Sequence, residues 1–438
     1  MDDQKPIRLA FYGDDLTGST DALEFISRAG ANATLFIGIP DAARLLEFPD
    51  MDVIGIAGIT RSLPADDMEA VLLPAFGFMK RIGARHIHYK VCSTFDSSPQ
   101  VGSIGKAIDC GQATIGSHIV PVLGGMPSLG RYCIFGNLFA RMGIGSRGGV
   151  FRLDRHPSMR DHPVTPADEA DLRLFLARQT RKKIALIDLL QMQLDIDRWK
   201  DVLNADDEIV LLDAFSEYDL SKIGAWLDAC VVEGQSLFCV GSSGIEKALG
   251  DHWNSSGAMT PTTGWSTPSP ISPLLVLSGS CSPVTAAQIE WAKGHGFKEM
   301  IIDAQGICNG DDRSFEAITE MLELLNDQQD LIIHTGDRVT AKLPSEIIGG
   351  HLGRLAKEAV RRTPLKRVVL SGGDTSSHAS ISMGIDALRM LAPLLAGAPL
   401  CEGYSKDAEV DGLEMNMKGG QVGPANYFGI LRDGRITT

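Results

Sequence analysis

The stretch RLAFYGDDLTGSTDALE, Arg8 to Glu24, decides the fold. An apolar run stops at Gly13, two carboxylates follow at once, and small polar residues lead into a helical pattern read near Asp21 to Ala29. A run without polar alternation is what a parallel strand covered on both faces requires, and such strands need helical crossovers between them. The same unit recurs outward. TLFIGI, VIGIAG and HIHYKV, with a helix near Ala65 to Ile82, continue it, and HIVPVL, IALIDLL, EIVLLDAF and LFCVGSSG, with a helix near Lys222 to Val232, carry it to about residue 250.

The segment SSGAMTPTTGWSTPSPISP, Ser255 to Pro273, then breaks the rhythm. Its prolines and glycines can neither propagate a helix nor sit in a central strand, so it reads as a linker. Beyond it the alternation restarts: LLVLSGS with a helix from Pro283, EMIID with one near Phe315 to Leu325, LIIHTG with one near Glu346 to Arg361, and RVVLSGG with one near Ser377 to Leu391. The expectation is an α/β protein of two domains, each a mostly parallel sheet flanked by helices, with the active site in the interdomain cleft. The boundaries are residues 1–255 for an N-terminal domain, 256–273 for the linker, and 274–438 for a C-terminal domain. Pro127 to Pro166, rich in Gly and Arg and poor in periodicity, reads as loops or an irregular excursion.

Composition narrows the function. With 44% hydrophobic and 22% charged residues the chain should bury a core. Its formal charge of -14 argues against nucleic acid as a partner, because that affinity is dominated by Lys and Arg neutralising phosphates. The acidic start MDDQKPIRLAFYG lacks a basic-then-apolar signal pattern, and no apolar run reaches the ~18 residues of a membrane span, so no membrane partner and a cytoplasmic setting are expected. The eight cysteines form no CxxC pair and read as reduced thiols, not as a disulfide framework or a zinc site.

Three constellations carry chemistry. Asp14 and Asp15 lie where a strand ends, and ligands of open α/β sheets collect there. Paired carboxylates suit proton acceptance or Mg²⁺, although one of them would equally serve as a helix cap. An aspartyl-phosphate phosphatase is excluded, since its nucleophile would fall on Gly13. Arg61 in GITRSLP and Lys90 in HYKVCSTFDSSP follow further strands; a guanidinium fork, an ammonium and the hydroxyls of Ser93 and Thr94 suit a carboxylate ligand. SGSCSP (Ser278 to Pro283), SGGDTSS (Ser371 to Ser377) and MKGGQVGP (Met417 to Pro424) are Gly-bearing turns, the first two between a strand and a helix. Their backbone amides form ready anion sites, to which Lys418 would add charge. Set aside are GIGSRG, Gly143 to Gly148, which follows no convincing strand; GSIGKA near Lys106, which lacks Walker spacing; His86 and His88, which have no third metal ligand nearby; and GSSGIEK, read as a Ser-capped helix start.

As an ordered set, GDDLTGSTD, TRS, YKVCST, SGSCS, SGGDTS and KGGQVG resemble the four-carbon acid sugar kinases, ATP-dependent enzymes acting on threonate, erythronate, 3-oxo-tetronate and related acids. The resemblance spans nearly the whole chain. It implies that Asp14, Asp15, Arg61, Lys90, Ser93 and Thr94 face the sugar acid. It also implies that ATP contacts Ser278 or Ser280, Gly372, Gly373, Asp374 and Thr375, and Gly419 or Gly420 with Gly423. Two departures stand out: many relatives carry Arg-Gly-Asn where this chain has Phe95, Asp96, Ser97 and Ser98, and Gly-Asn-Phe-Gly where it has Gly420, Gln421, Val422 and Gly423. The first disfavours a plain four-carbon acid and admits an oxo or branched one.

The expected function is transfer of the γ-phosphoryl of ATP, with Mg²⁺, to a hydroxyl of a small sugar acid, with Asp15 or Asp374 as proton acceptor. The rival readings are a non-catalytic sugar-acid binding protein and a metal-assisted aldolase or isomerase on similar acids. Whether the chain forms a homodimer the sequence leaves open.

Overall fold

The computed structural model describes residues 6–142, 148–162, 164–310, 314–336 and 343–435. The motif GIGSRG lies, but for Gly148, outside the described residues. The strands in chain order are β1 (Leu9–Gly13), β2 (Ala33–Ile37), β3 (Val53–Ala57), β4 (His86–Lys90), β5 (Val120–Leu123), β6 (Arg131–Ile134), β7 (Asn137–Arg141), β8 (Val150–Arg152) and β9 (Ile184–Ile187). They continue as β10 (Ile209–Leu212), β11 (Leu237–Gly241), β12 (Leu275–Ser278), β13 (Lys298–Ile301), β14 (Leu331–His334), β15 (Arg367–Ser371), β16 (Ile385–Ala392), β17 (Leu400–Ser405) and β18 (Leu413–Lys418).

The chain divides into two compact units. The first comprises Met1–Asp14, Phe25–Thr34 and Ile39–Thr263; the second comprises Asp15–Glu24, Leu35–Gly38 and Gly264–Thr438. The second unit thus takes in two pieces of the N-terminal region that the sequence assigned with residues 1–255. Leu35 and Phe36 pair with Leu388 and Ala387 of β16, and the Glu24 carboxylate accepts the Gly397 amide at 2.8 Å, so strand pairing draws in one piece and a side-chain hydrogen bond ties the other.

In the first unit the parallel order is β3-β1-β4-β11-β5-β10-β9. The chain leaves β1 toward β3 on one side and returns to β4 on the other, so the carboxyl end of β1 is a topological switch point. Every residue of β1, β3, β4 and β11 is buried, as their unbroken apolar runs require. Phe76 of the helix Ala65–Arg81 packs edge-on against Tyr12, Tyr89 and Phe238 at ring distances of 6.4, 6.2 and 5.2 Å. The Gly- and Arg-rich middle region contains a small antiparallel sheet, β6-β7-β8, where the sequence suggested only irregular chain.

In the second unit β13-β14-β12-β15-β18 are parallel, and β17, β16 and the end of β2 extend the sheet antiparallel. Here β12 and β15 flank the switch point. The helix read near Ser377 to Leu391 is instead Gly373–Met383 followed by β16, because Gly384 adopts φ 86 and ends the helix in the left-handed conformation. No element is assigned between Ser255 and Leu275, where Pro, Ser, Thr and Gly dominate.

Candidate functional site

In the first unit, polar groups gather where β1, β3 and β4 end. Gly13 lies opposite both Ala57 and Lys90 in register, and the Asp14 amide donates to the Lys90 carbonyl at 2.9 Å. The Arg61 amide then donates to the Asp14 carbonyl at 3.1 Å, which brings the TRS turn back over the strand end. Arg61 closes its fork on Asp14, Nη2 to Oδ1 at 2.6 Å and Nε to Oδ2 at 3.1 Å. The guanidinium read from sequence as a carboxylate receptor is therefore engaged first by the protein's own carboxylate. Asp14 is buried, while Arg61 keeps 24% of its side chain exposed. Lys90 is also buried at the end of β4.

Beneath them Tyr12 and Tyr89 stack at 6.0 Å, and the Tyr89 hydroxyl shares a hydrogen bond with Thr60 at 2.9 Å. Burial, reinforced by the Asp14 charge, pushes both phenols above their ordinary range, so they remain protonated hydroxyls. Gly58 is required here: a Cβ on it would fall 2.0 Å from the Tyr12 hydroxyl.

Ser93 and Thr94 are less alike than their sequence suggests. Ser93 Oγ accepts from Nε of Arg131 at 3.2 Å, a basic partner carried by β6 that sequence reasoning missed inside the irregular region. Thr94 donates to Asp96 Oδ1 at 2.7 Å and lines, with Asp96 and Glu169, a cavity of about 10 Å³. That is room for one water, not for a sugar acid. Burial, with Asp96 nearby, pushes the adjacent Cys92 thiol up to about 11, which leaves it unreactive at neutral pH. The histidines of β4 are paired inside the fold: His86 with Asp228 at 3.1 Å and His88 with Glu246 at 2.6 Å.

Asp15 belongs to the second unit and has a different task from Asp14. Its Oδ1 accepts the Gly18 amide at 2.8 Å, and its Oδ2 accepts the Thr17 hydroxyl at 2.8 Å. It thereby caps the helix Leu16–Arg28, which begins well before the Asp21 start read from sequence. The capping alternative for one member of the pair holds for Asp15. The cap also fixes where the carboxylate points: a methyl on Gly373 would stand 3.5 Å from Asp15 Oδ2 and 3.8 Å from Thr17 Oγ1.

The three Gly-bearing turns follow β12, β15 and β18, adjacent parallel strands of that unit. Gly372, at φ 116, takes a conformation an L side chain rarely adopts, and its amide donates to the Lys418 carbonyl at 2.9 Å. Gly373 opens the helix Gly373–Met383, whose first turn carries Asp374, exposed, and Thr375, buried. A Cβ on Gly279 would meet Thr375 Oγ1 at 2.4 Å, so the first two turns are in close contact. Ser278 Oγ accepts the Ser280 amide and Ser280 Oγ the Ser282 amide, each at 3.3 Å.

Residues that sequence did not single out hold the third turn. From the helix Pro283–Lys293, Thr285 donates to the Gly420 carbonyl at 3.1 Å. Three residues on, Gln288 Nε2 reaches the carbonyls of Val422, Gly423 and Pro424 at 2.9, 3.3 and 3.0 Å. The spacing of Thr285 and Gln288 on one helix face was the available signal. Gly419 and Gly420 pass close to neighbouring side chains: a Cβ on Gly420 would lie 2.9 Å from Ser280 Oγ, and one on Gly419 would lie 4.0 Å from Thr17 Oγ1.

Residues 9–249 match a sugar-binding N-terminal domain and residues 275–428 a nucleotide-binding C-terminal domain. The chain belongs to the family that joins these two domains. Among its curated relatives, 3-oxo-isoapionate kinase of Paraburkholderia graminis is 40% identical, over 98% of this chain and 94% of that protein. The 3-oxo-tetronate kinase of Methylobacterium radiotolerans is 29% identical, over 98% of this chain and 99% of that one. A solved structure from Salmonella typhimurium LT2 shares the fold at a TM-score of 0.74 and 22% identity, covering 97% of this chain and 98% of the other.

Proposed function

We propose that the chain is an ATP-dependent kinase that phosphorylates a hydroxyl of a small sugar acid, and that its acid is a 3-oxo compound of the kind its 40% identical relative is named for. The observation that carries this reading is the company Asp15 keeps. The first turn of its helix lies in one compact unit with the Gly-bearing turns, and its Oδ2 is directed at Gly373.

Phosphoryl transfer asks the protein mainly for positioning and charge neutralisation. The amides of Gly373 to Thr375, at a helix N-terminus, and those of the turns at Ser278 and Gly419 receive the phosphates. Arg61 and Lys90 receive the carboxylate of the acid, and the Ser93 hydroxyl, backed by Arg131, takes one of its hydroxyl groups. Asp15 accepts the proton of the attacking hydroxyl; Thr17 and Gly18 hold the carboxylate in one orientation for it. Asp374 is the competing acceptor. It is exposed at the first helical turn, where it equally suits Mg²⁺ riding on the phosphates, an ion that would neutralise charge on the transferring group.

Thermal-shift measurements with ATP, ADP and NAD test the nucleotide half, because the kinase reading, unlike the sugar-acid binding protein and the aldolase or isomerase, predicts strong stabilisation by adenine nucleotides. A coupled assay over branched, 3-oxo and plain four-carbon acids tests the other half. Equal turnover on threonate and on 3-oxo acids would overturn the substrate assignment.

A further inference from the structure

Lys418 is fully buried at the end of β18, between the turns assigned to phosphate. Its Nζ donates to Thr285 Oγ1 at 3.0 Å and to Ser371 Oγ at 3.4 Å, and lies 5.5 Å from the centre of the Tyr427 ring. Because an ammonium only donates, Thr285 must accept from it and turn its own hydrogen outward. Gly420 O and Ser280 Oγ, each 3.1 Å away, are the two available acceptors. One amine thus reaches all three turns: that at Ser371 directly, those at Ser280 and Gly420 through Thr285.

No carboxylate is hydrogen-bonded to this amine among the described residues. On β15 and β18 the charges at the far ends, Arg367 and Glu414, pair with each other. Glu402 of β17 bonds Tyr404, Lys293 of the neighbouring helix pairs with Glu290, and Asp374 is exposed. Tyr427 faces it with its ring, and burial, with the charge of the buried Glu24 carboxylate that accepts the Gly397 amide, keeps that phenol protonated. Burial alone lowers the Lys418 amine to about 7.

We propose that Lys418 is the positioning residue of the phosphate site: sealed beneath the turns, it fixes them to one another and supplies an interior positive charge that a bound polyphosphate draws out, without itself touching the phosphate. The inference rests on the nucleotide reading of these turns. It makes binding and protonation interdependent, since a polyanion over the turns favours the charged amine, and a group largely neutral at pH 8 then takes up most of one proton.

Calorimetric titration with ADP at pH 8, in two buffers of different ionisation heat, counts that proton. The wild-type protein takes up most of one proton per ADP. Lys418→Met takes up none and binds ADP about 10-fold more weakly, the loss of roughly one charge interaction. Thr285→Val keeps the amine, so it keeps the proton uptake while losing affinity several-fold. Wild-type binding without uptake, or Lys418→Met with unchanged uptake or affinity within twofold, overturns the role of Lys418 and leaves the kinase reading standing. A wild-type protein that binds no adenine nucleotide overturns both.

Discussion

Replacing Lys418 by Met should stabilise the nucleotide-binding unit, and do so more strongly in acid than in alkali. In the unfolded chain the amine holds its proton up to the ordinary 10.5, whereas in the folded chain it gives it up above about 7. Between those values the unfolded state binds more protons, so wild-type stability rises with pH; below pH 7 the whole cost of the buried charge is present. At about 1.4 kcal/mol per pH unit, that cost is at most about 5 kcal/mol at pH 6 and falls to about 1 kcal/mol at pH 9.5. Methionine fills a similar volume without charge and removes the cost at both values. Its lost hydrogen bonds to Thr285 and Ser371 subtract an amount that does not vary with pH. The quantity to measure is therefore the difference between variant and wild-type melting temperatures, at pH 6 and again at pH 9.5. The two differences should be separated by up to about 3–4 kcal/mol, which at 2–4 °C per kcal/mol is roughly 6–15 °C. Equal differences at the two pH values would show that Lys418 does not titrate inside the fold.

Four further substitutions separate the jobs assigned to the site. Asp15→Asn keeps a competent helix cap, so melting should move little while turnover falls about 10² to 10⁴-fold at unchanged ADP affinity; near-normal turnover would pass the proton to Asp374, for which Asp374→Asn is the matching check. Arg61→Met takes the guanidinium fork from the buried Asp14 carboxylate, and should raise the KM for the acid at least about 10-fold while costing the first unit roughly 1–3 kcal/mol, as read from steady-state kinetics and urea unfolding; an unchanged KM removes Arg61 from acid binding. Gly279→Ala places a methyl 2.4 Å from Thr375 Oγ1, so the turns must part; ADP affinity should drop about 10-fold in calorimetry with the KM for the acid untouched, and a normal ADP affinity would dissociate these turns from the nucleotide.

Much of the fold could be read because parallel strands buried on both faces announce themselves as apolar runs: VIGIA, LIIH and RVVLS are strands in full. Misreadings arose where local chemistry competes with pattern. LTGST has poor helix formers, so the start of the first helix was placed near Asp21, yet an Asp15 cap begins it at Leu16. IDALRMLA carries apolar residues at spacings a helix would accept, but the left-handed Gly384 stops the preceding helix and pairing with β17 makes a strand of it. The Gly-bearing turns stood out because Gly and Ser directly follow apolar strands. In the sequence Lys418 is only an added charge, since burial is a property of packing that no local pattern discloses. Thr285, Gln288 and Arg131 look like ordinary surface residues until the fold puts carbonyls or a hydroxyl within their reach.

The two consecutive aspartates show how far type and spacing alone can carry a functional reading. Both are buried carboxylates following the same strand, and on chemistry alone either could accept a proton. Their partners distinguish them. Asp14 gives one oxygen to each arm of a guanidinium fork, an arrangement that stabilises the charge and opposes taking a proton from a substrate hydroxyl. Asp15 Oδ1 accepts the Gly18 amide and Oδ2 the Thr17 hydroxyl, and Oδ2 is the oxygen nearest Gly373. On the function proposed above, Asp15 is the acceptor of the pair and Asp14 the residue that holds Arg61 in place. The division has a kinetic signature: Asp14→Asn should act chiefly on the KM for the acid, by loosening Arg61, whereas Asp15→Asn should act chiefly on kcat. The opposite split would mean that hydrogen-bond partners do not decide which of two neighbouring carboxylates does the chemistry.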